Sequence, residues 1–213
     1  MKETAEIDWR KLYDSFDAPL CEVDCGTLCA PDNGGVPACC ANQDCPPIIF
    51  TDELRWLRSK TDLWRKRRAG TAEDKRDDEE IEDHVKYARC KGVDKCDRRY
   101  RSLTCRFFPL EPYVDEKGVF AGLTYVYECE HICPMIANDS VAINPEYVRQ
   151  AIAVWREVFR VYPLEYETYR DESRKLRRRF RRKNRPLALF TENKPTRRME
   201  GAANVSGSAR KAA

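Results

Sequence analysis

The chain has 213 residues, of which 35% are charged and 42% hydrophobic, with 39 basic and 36 acidic side chains giving a net charge of +3. No stretch approaches the ~20 apolar residues of a membrane-spanning helix, and the low Gly content and scattered cysteines exclude collagen and coiled-coil classes. Eleven residues are Cys and two are His, so any metal site here is built mostly from thiolates.

The charge is unevenly placed. From Arg174 onward there are 14 basic and 2 acidic residues, against 25 basic and 34 acidic before it. An acidic body with a basic end suggests an end that meets an acidic surface or folds back on its own body. The opening MKETAEIDWRKLYDSFD has no apolar core and no small-residue cleavage site, so a cytoplasmic location is expected. Thiols stay reduced there, and dense cysteine then points to metal or redox chemistry rather than to a disulfide framework.

Residues 1–17 read as a polar lead-in with a short helix. Residues 18–50 are rich in Cys, Pro and Gly without clear periodicity, and a loop of that length needs something to hold it, such as a metal. Thr51 and Asp52 read as a helix N-terminus, with Leu54, Leu57 and Trp64 among the apolar positions that follow. The run 65–85 is nearly all charged and reads as a solvated, mobile connector containing a solvated His84. Residues 103–114 and 119–128 read as two strands joined by a hairpin turn over 115–118, with Gly118 free to take positive φ.

The clearest helix spans 145–161, with Asn144 as N-cap and Pro145 at the first position. Val148, Ala151, Ile152, Trp155, Val158, Phe159 and Tyr162 form its apolar stripe. A second helix follows Pro163, running from Leu164 to about Lys183. The fold class expected is α+β: Cys-rich metal-tied loops, a small antiparallel β-hairpin and C-terminal helices. The expected organisation is a lead-in over 1–17, a cysteine-cluster metal-binding domain over 18–163, a basic C-terminal helix over 164–190 and a disordered tail over 191–213.

The cysteines fall in three groups. The first is Cys21, Cys25, Cys29, Cys39, Cys40 and Cys45; the second is Cys90, Cys96 and Cys105; the third is Cys129 and Cys133 around His131. Thiolates suit Zn²⁺ and iron–sulfur iron, both of which favour tetrahedral sulfur sites. Gly26 beside Cys25 permits a tight bend that turns amide N–H groups toward sulfur. No Cys-x2-Cys pair is present, so the spacing is not that of common zinc motifs. The ligand set expected is Cys25, Cys29, Cys40, Cys90, Cys96, Cys105 and Cys133, joined by Cys21 and Cys39. Cys45, Cys129 and His131 are weaker candidates. Arg101 and Arg106 flank Cys105, where they either lower thiolate pKa values and balance an anionic cluster or form salt bridges to the acidic body.

The segment Cys25-Gly26-Thr27-Leu28-Cys29, the Cys39-Cys40 pair, and Cys90, Cys96 and the run from Tyr100 to Leu110 resemble the YkgJ-type cysteine-cluster family. This is a zinc- or iron-chelating domain marked by a CxxCxxCC motif. Arg101 to Pro109 matches the family's R-P-x-x-C-R-x-F-P element, with Ser102 in place of Pro. The first element is stretched, with three residues between successive cysteines and the Cys pair ten residues further on. The resemblance covers about residues 21–133 and implies metal chelation, with an iron–sulfur cluster or Zn²⁺ as cofactor. A related branch resembles flagellin lysine methylases, which implies an iron–sulfur-dependent protein-modifying enzyme as an alternative. No glycine-rich cofactor loop, HExxH, P-loop or Ser-His-Asp order accompanies it, so no reaction is assigned.

Residues 174–185, RKLRRRFRRKNR, carry nine basic side chains. They suggest an acidic partner or nucleic acid bound through phosphate neutralisation, or a cationic helix docked on the acidic body. A nucleic-acid-binding protein with a structural metal is therefore a further alternative.

Overall fold

The computed structural model describes residues 6–41, 46–137 and 141–193, and the backbone of 198–200. Its architecture is mixed α+β, with small antiparallel sheets and a C-terminal helical pair. The first helix, α1 (Trp9–Asp14), starts at Asp8, whose side chain accepts a hydrogen bond from Lys11 N. Ile7, Trp9, Leu12, Tyr13 and Phe16 are all buried. The expected polar lead-in is thus a docked segment: its apolar residues lie at helical spacing and cover the core.

Two one-turn helices, α2 (Gly26–Cys29) and α3 (Ala38–Ala41), sit within the cysteine-rich stretch. Then come β1 (Ile48–Phe50), α4 (Thr51–Lys60), β2 (Trp64–Lys66), α5 (Ala72–Glu80) and β3 (Val85–Cys90). The strands form one antiparallel sheet in the order β1-β3-β2. Helix α5 lies where a mobile connector is expected. Thr71 caps it, and the Asp74 carboxylate accepts from Gly70 N and Thr71 N. Arg67 explains the order. Its side chain is 3% exposed, pairs with Asp74, Asp77 and Asp78, and lies 4.1 Å above the Tyr87 ring. Three carboxylates spaced along one helical face surround a guanidinium withdrawn from water.

His84, expected to be solvated, is half-buried. Its Nε2 lies 2.7 Å from Glu165 Oε1, and its ring stacks on Phe50 and Tyr162. The expected strand over 103–114 is divided: 103–107 forms the helix α6 (Leu103–Phe107), and only β4 (Leu110–Val114) is extended. The reason is local, since the Ser102 hydroxyl accepts from Cys105 N and starts a turn. β4 pairs with β5 (Phe120–Tyr125) across a turn in which Gly118 has φ 74° and Asp115 Oδ1 accepts from Lys117 N and Val119 N.

After α7 (Pro134–Ala137) come α8 (Pro145–Val161) and α9 (Pro163–Arg182). Asn144 caps α8; of its predicted stripe Val148, Ala151, Ile152, Trp155 and Val158 are buried, Phe159 and Tyr162 are half-buried, and Tyr147 joins the buried face. Trp155 stacks on Phe107 at 4.8 Å, and Phe16 packs between Phe107 and Tyr147. α9 lies against β4, where Ser173 Oγ accepts from Val114 N.

The basic end of α9 faces the acidic body. Arg179 pairs with Glu128, Arg181 with Glu116, and Arg185 with both oxygens of Glu130. Arg177 donates to the Val114 carbonyl. Strand β6 (Leu187–Leu189) and Phe190 then lie beside β5: Phe190 and Leu123 exchange backbone hydrogen bonds, and Thr124 Oγ1 donates to Ala188 O. Gly122, at φ 146°, makes this contact feasible, because a Cβ there would sit 2.1 Å from Phe190 O. Within the expected disordered tail, the backbone of β7 (Arg198–Glu200) pairs antiparallel with β6; residues 194–197 and 201–213 lie outside the described residues. Among the described residues no helix is long and apolar enough to cross a membrane.

Candidate metal centre

The chain folds the first cysteine group back on itself. Asp24 Oδ1 accepts from Gly26 N and Thr27 Oγ1 donates to Asp24 O, which starts α2 immediately after Cys25. Gly34 and Gly35, at φ 64° and 84°, reverse the chain. A Cβ on Gly26 would lie 2.9 Å from Pro37 Cγ, so the glycine admits the returning loop rather than presenting its amide to sulfur. That return brings Ala38 N to 3.3 Å from Cys29 Sγ and joins Cys25 and Cys29 to Cys39 and Cys40.

The second group is held by the sheet and by α6. Cys90 closes β3 opposite Trp64, whose Nε1 donates to Tyr100 O at 2.7 Å. Gly92, at φ 95°, starts the turn toward Cys96. Arg101 Nε donates to Cys96 Sγ at 3.3 Å. Cys105 stands on α6, whose start is fixed by Ser102 and by Leu103 N donating to Glu53 Oε1 at 2.7 Å. An Arg98–Asp24 ion pair ties this turn to the first group.

The charge interactions of the thiols link these segments. Cys25 is affected by Cys21, Cys29 and Cys133; Cys39 by Cys40, Cys25 and Cys105; and Cys105 by Cys90 and Cys40. Arg101 interacts with Cys96, Cys40 and Cys105. Charge interactions therefore connect the nine cysteines expected as ligands (Cys21, Cys25, Cys29, Cys39, Cys40, Cys90, Cys96, Cys105 and Cys133) across segments far apart in the chain, pair by pair rather than around one centre. No disulfide joins any of the described cysteines.

Burial pushes the Cys25 thiol up to about 11 and Cys105 up to about 12. It also raises Cys133 and Cys21, whose thiol donates to the Val23 carbonyl at 3.0 Å. Cys40 moves the other way, to about 6, because the Cys39 thiol donates to it and Arg101 and Arg98 lie near; the same hydrogen bond raises Cys39. Arg101 thus lies beside Cys96, Cys40 and Cys105 and forms no salt bridge to the acidic body among the described residues. Arg106 takes neither expected part. Its guanidinium donates to the Arg99, Arg101 and Phe16 carbonyls and lies 4.3 Å above the Tyr13 ring, fastening α1 to α6.

As placed, no three His, Cys, Asp or Glu side chains among the described residues form a group that could hold a metal ion. The donor chemistry suits a thiophilic metal: soft sulfur ligands, an amide N–H directed at Cys29 Sγ and a guanidinium to offset thiolate charge. The separations, as placed, do not form a coordination site. His131 is exposed, with Nδ1 3.0 Å from Glu128 O. Cys45 lies outside the described residues.

Sequence reading missed Glu53, Tyr13 and Arg98. Glu53 sits within a charged helix start, and no periodicity distinguishes it from a solvated carboxylate. No family model, curated protein or solved structure matches the chain.

Proposed function

We propose that this protein binds metal through its convergent thiolates, as an iron–sulfur cluster or, second, as Zn²⁺, in a redox, metal-handling or scaffold role. The observation that supports this reading is the chain of charge interactions linking nine thiols, three of which, Cys40, Cys96 and Cys105, interact with Arg101. Isolated structural cysteines are usually scattered small hydrophobes, and nothing about core packing calls for nine of them to converge. Nine also exceeds the four ligands of one tetrahedral ion, which favours a polynuclear centre or more than one site.

When bound, an iron–sulfur centre supplies one-electron chemistry, whereas Zn²⁺ supplies Lewis acidity or a structural brace. The chain's own part is to bring the thiols together, deprotonate them and balance their charge. Cys25 and Cys105 hold their protons well above neutral pH, so binding releases protons and weakens as pH falls.

The test is metal and sulfide analysis of anaerobically purified protein together with its visible spectrum. Iron with equimolar sulfide and broad visible absorbance selects the cluster; zinc in fixed ratio without colour selects Zn²⁺. Cys105→Ser is expected to lower metal content in either case. Metal absent from the wild-type chain, or content unchanged in the variant, refutes the assignment.

A further inference from the structure

Positions 51, 54, 55, 58 and 59 share one face of α4 by their i, i+3, i+4 spacing. Between that face and the sheet lies a cleft of about 490 Å³, within the size range of small-ligand sites. Leu54 is its buried apolar part. Arg55 and Arg58 enter from α4, Lys66 from β2 and Lys86 from β3. Lys66 pairs in register with Ala88, and Lys86 lies two residues along the same strand. Both lysines therefore stand on one face of the sheet.

Among the described residues no carboxylate lines this cleft. The neighbouring acids are engaged elsewhere: Asp52 accepts from Tyr162, Glu53 from Tyr13, and Asp62 pairs with Lys91. The Thr51 and Ser59 hydroxyls donate to the carbonyls of Asp83 and Trp56, which leaves the four cations as the donors. A second cleft of about 300 Å³ shares Arg58 and adds Arg65, with Lys91 there neutralised by Asp62. Four positive charges without a counter-charge repel one another, and a multiply charged anion relieves that repulsion. The cleft also has no exposed aromatic ring in its lining to stack a base. It is therefore built to read oxyanions rather than nucleobases.

We propose that this cleft binds a compact ligand carrying two or more phosphate groups, held by Arg55, Arg58, Lys66 and Lys86. None of these residues belongs to the thiol network, so the site is independent of the metal reading.

The probe is inorganic tripolyphosphate, titrated calorimetrically into the full chain at low salt, with ATP and a short single-stranded oligonucleotide as parallel arms. Arg55→Glu/Arg58→Glu is expected to weaken tripolyphosphate binding by about tenfold or more, since two attractions become two repulsions. Both arginines are exposed, so the fold tolerates the change, checked by circular dichroism. Arg178→Glu/Arg182→Glu makes the same charge change at exposed positions of α9 and is expected to leave the affinity within about twofold. ATP is expected to match tripolyphosphate. The proposal is overturned if tripolyphosphate does not bind, if both double variants lose affinity equally, if neither does, or if only the oligonucleotide binds.

Discussion

Glu53 is fully buried, and its carboxylate accepts from Tyr13 Oη, Phe50 N and Leu103 N. It thereby joins α1, the start of α4 and the start of α6, the helix that carries Cys105. Burial raises its pKa from 4.5 to about 7, against the lowering effect of the three donors. The folded chain thus holds a proton that the unfolded chain has released above 4.5. Stability from this group is complete below 4.5 and is lost as pH rises to about 7, a decline of about 3 kcal/mol. In Glu53→Gln an amide cannot titrate, and its N–H₂ opposes the Phe50 N–H, a cost that does not vary with pH. Urea unfolding of both proteins, followed by tryptophan fluorescence across that window, measures the difference. The wild type is expected to lose about 3 kcal/mol relative to the variant as pH rises. Parallel pH profiles for the two proteins would refute the reasoning.

Gly122→Ala is expected to destabilise the fold by about 2 kcal/mol or more, because the new Cβ meets the Phe190 carbonyl at 2.1 Å; hydrogen exchange should localise the loss to 187–190, and exchange unchanged there would count against the contact. Arg67→Ala leaves Asp74, Asp77 and Asp78 facing one another. It is expected to lower stability by about 1 kcal/mol and to release α5, measured by thermal melts and by proteolysis within 70–82. With metal chelated, iodoacetamide at about neutral pH should label Cys40 before Cys25 and Cys105, because its thiolate is already formed. Peptide mapping that finds Cys105 labelled first would contradict that order.

Where local pattern carries the information, the sequence reads directly into structure. Asn144-Pro145 and the stripe from Val148 to Val158 specify α8, and Asp115 with Gly118 specifies the hairpin turn. Cysteine grouping likewise nominated nine thiols as ligands, yet as placed no three of the described metal-ligating side chains form a group that could hold a metal ion. Ser102 was read as a departure from a family's proline; in the fold it caps α6, and a strand gives way to a helix over 103–107.

The charged residues divide differently. The run 65–85 looks uniformly solvated because charge alone has no period that marks burial. Arg67 and His84 are withdrawn from water by carboxylates ten or eighty residues away. Glu53 and the four cations over α4 are of the same kind. Composition and short-range spacing marked the clearest elements and nominated the side chains proposed as metal ligands. Which charges are neutralised, and which are left facing an open cleft, was decided by partners that only folding brings within hydrogen-bonding distance.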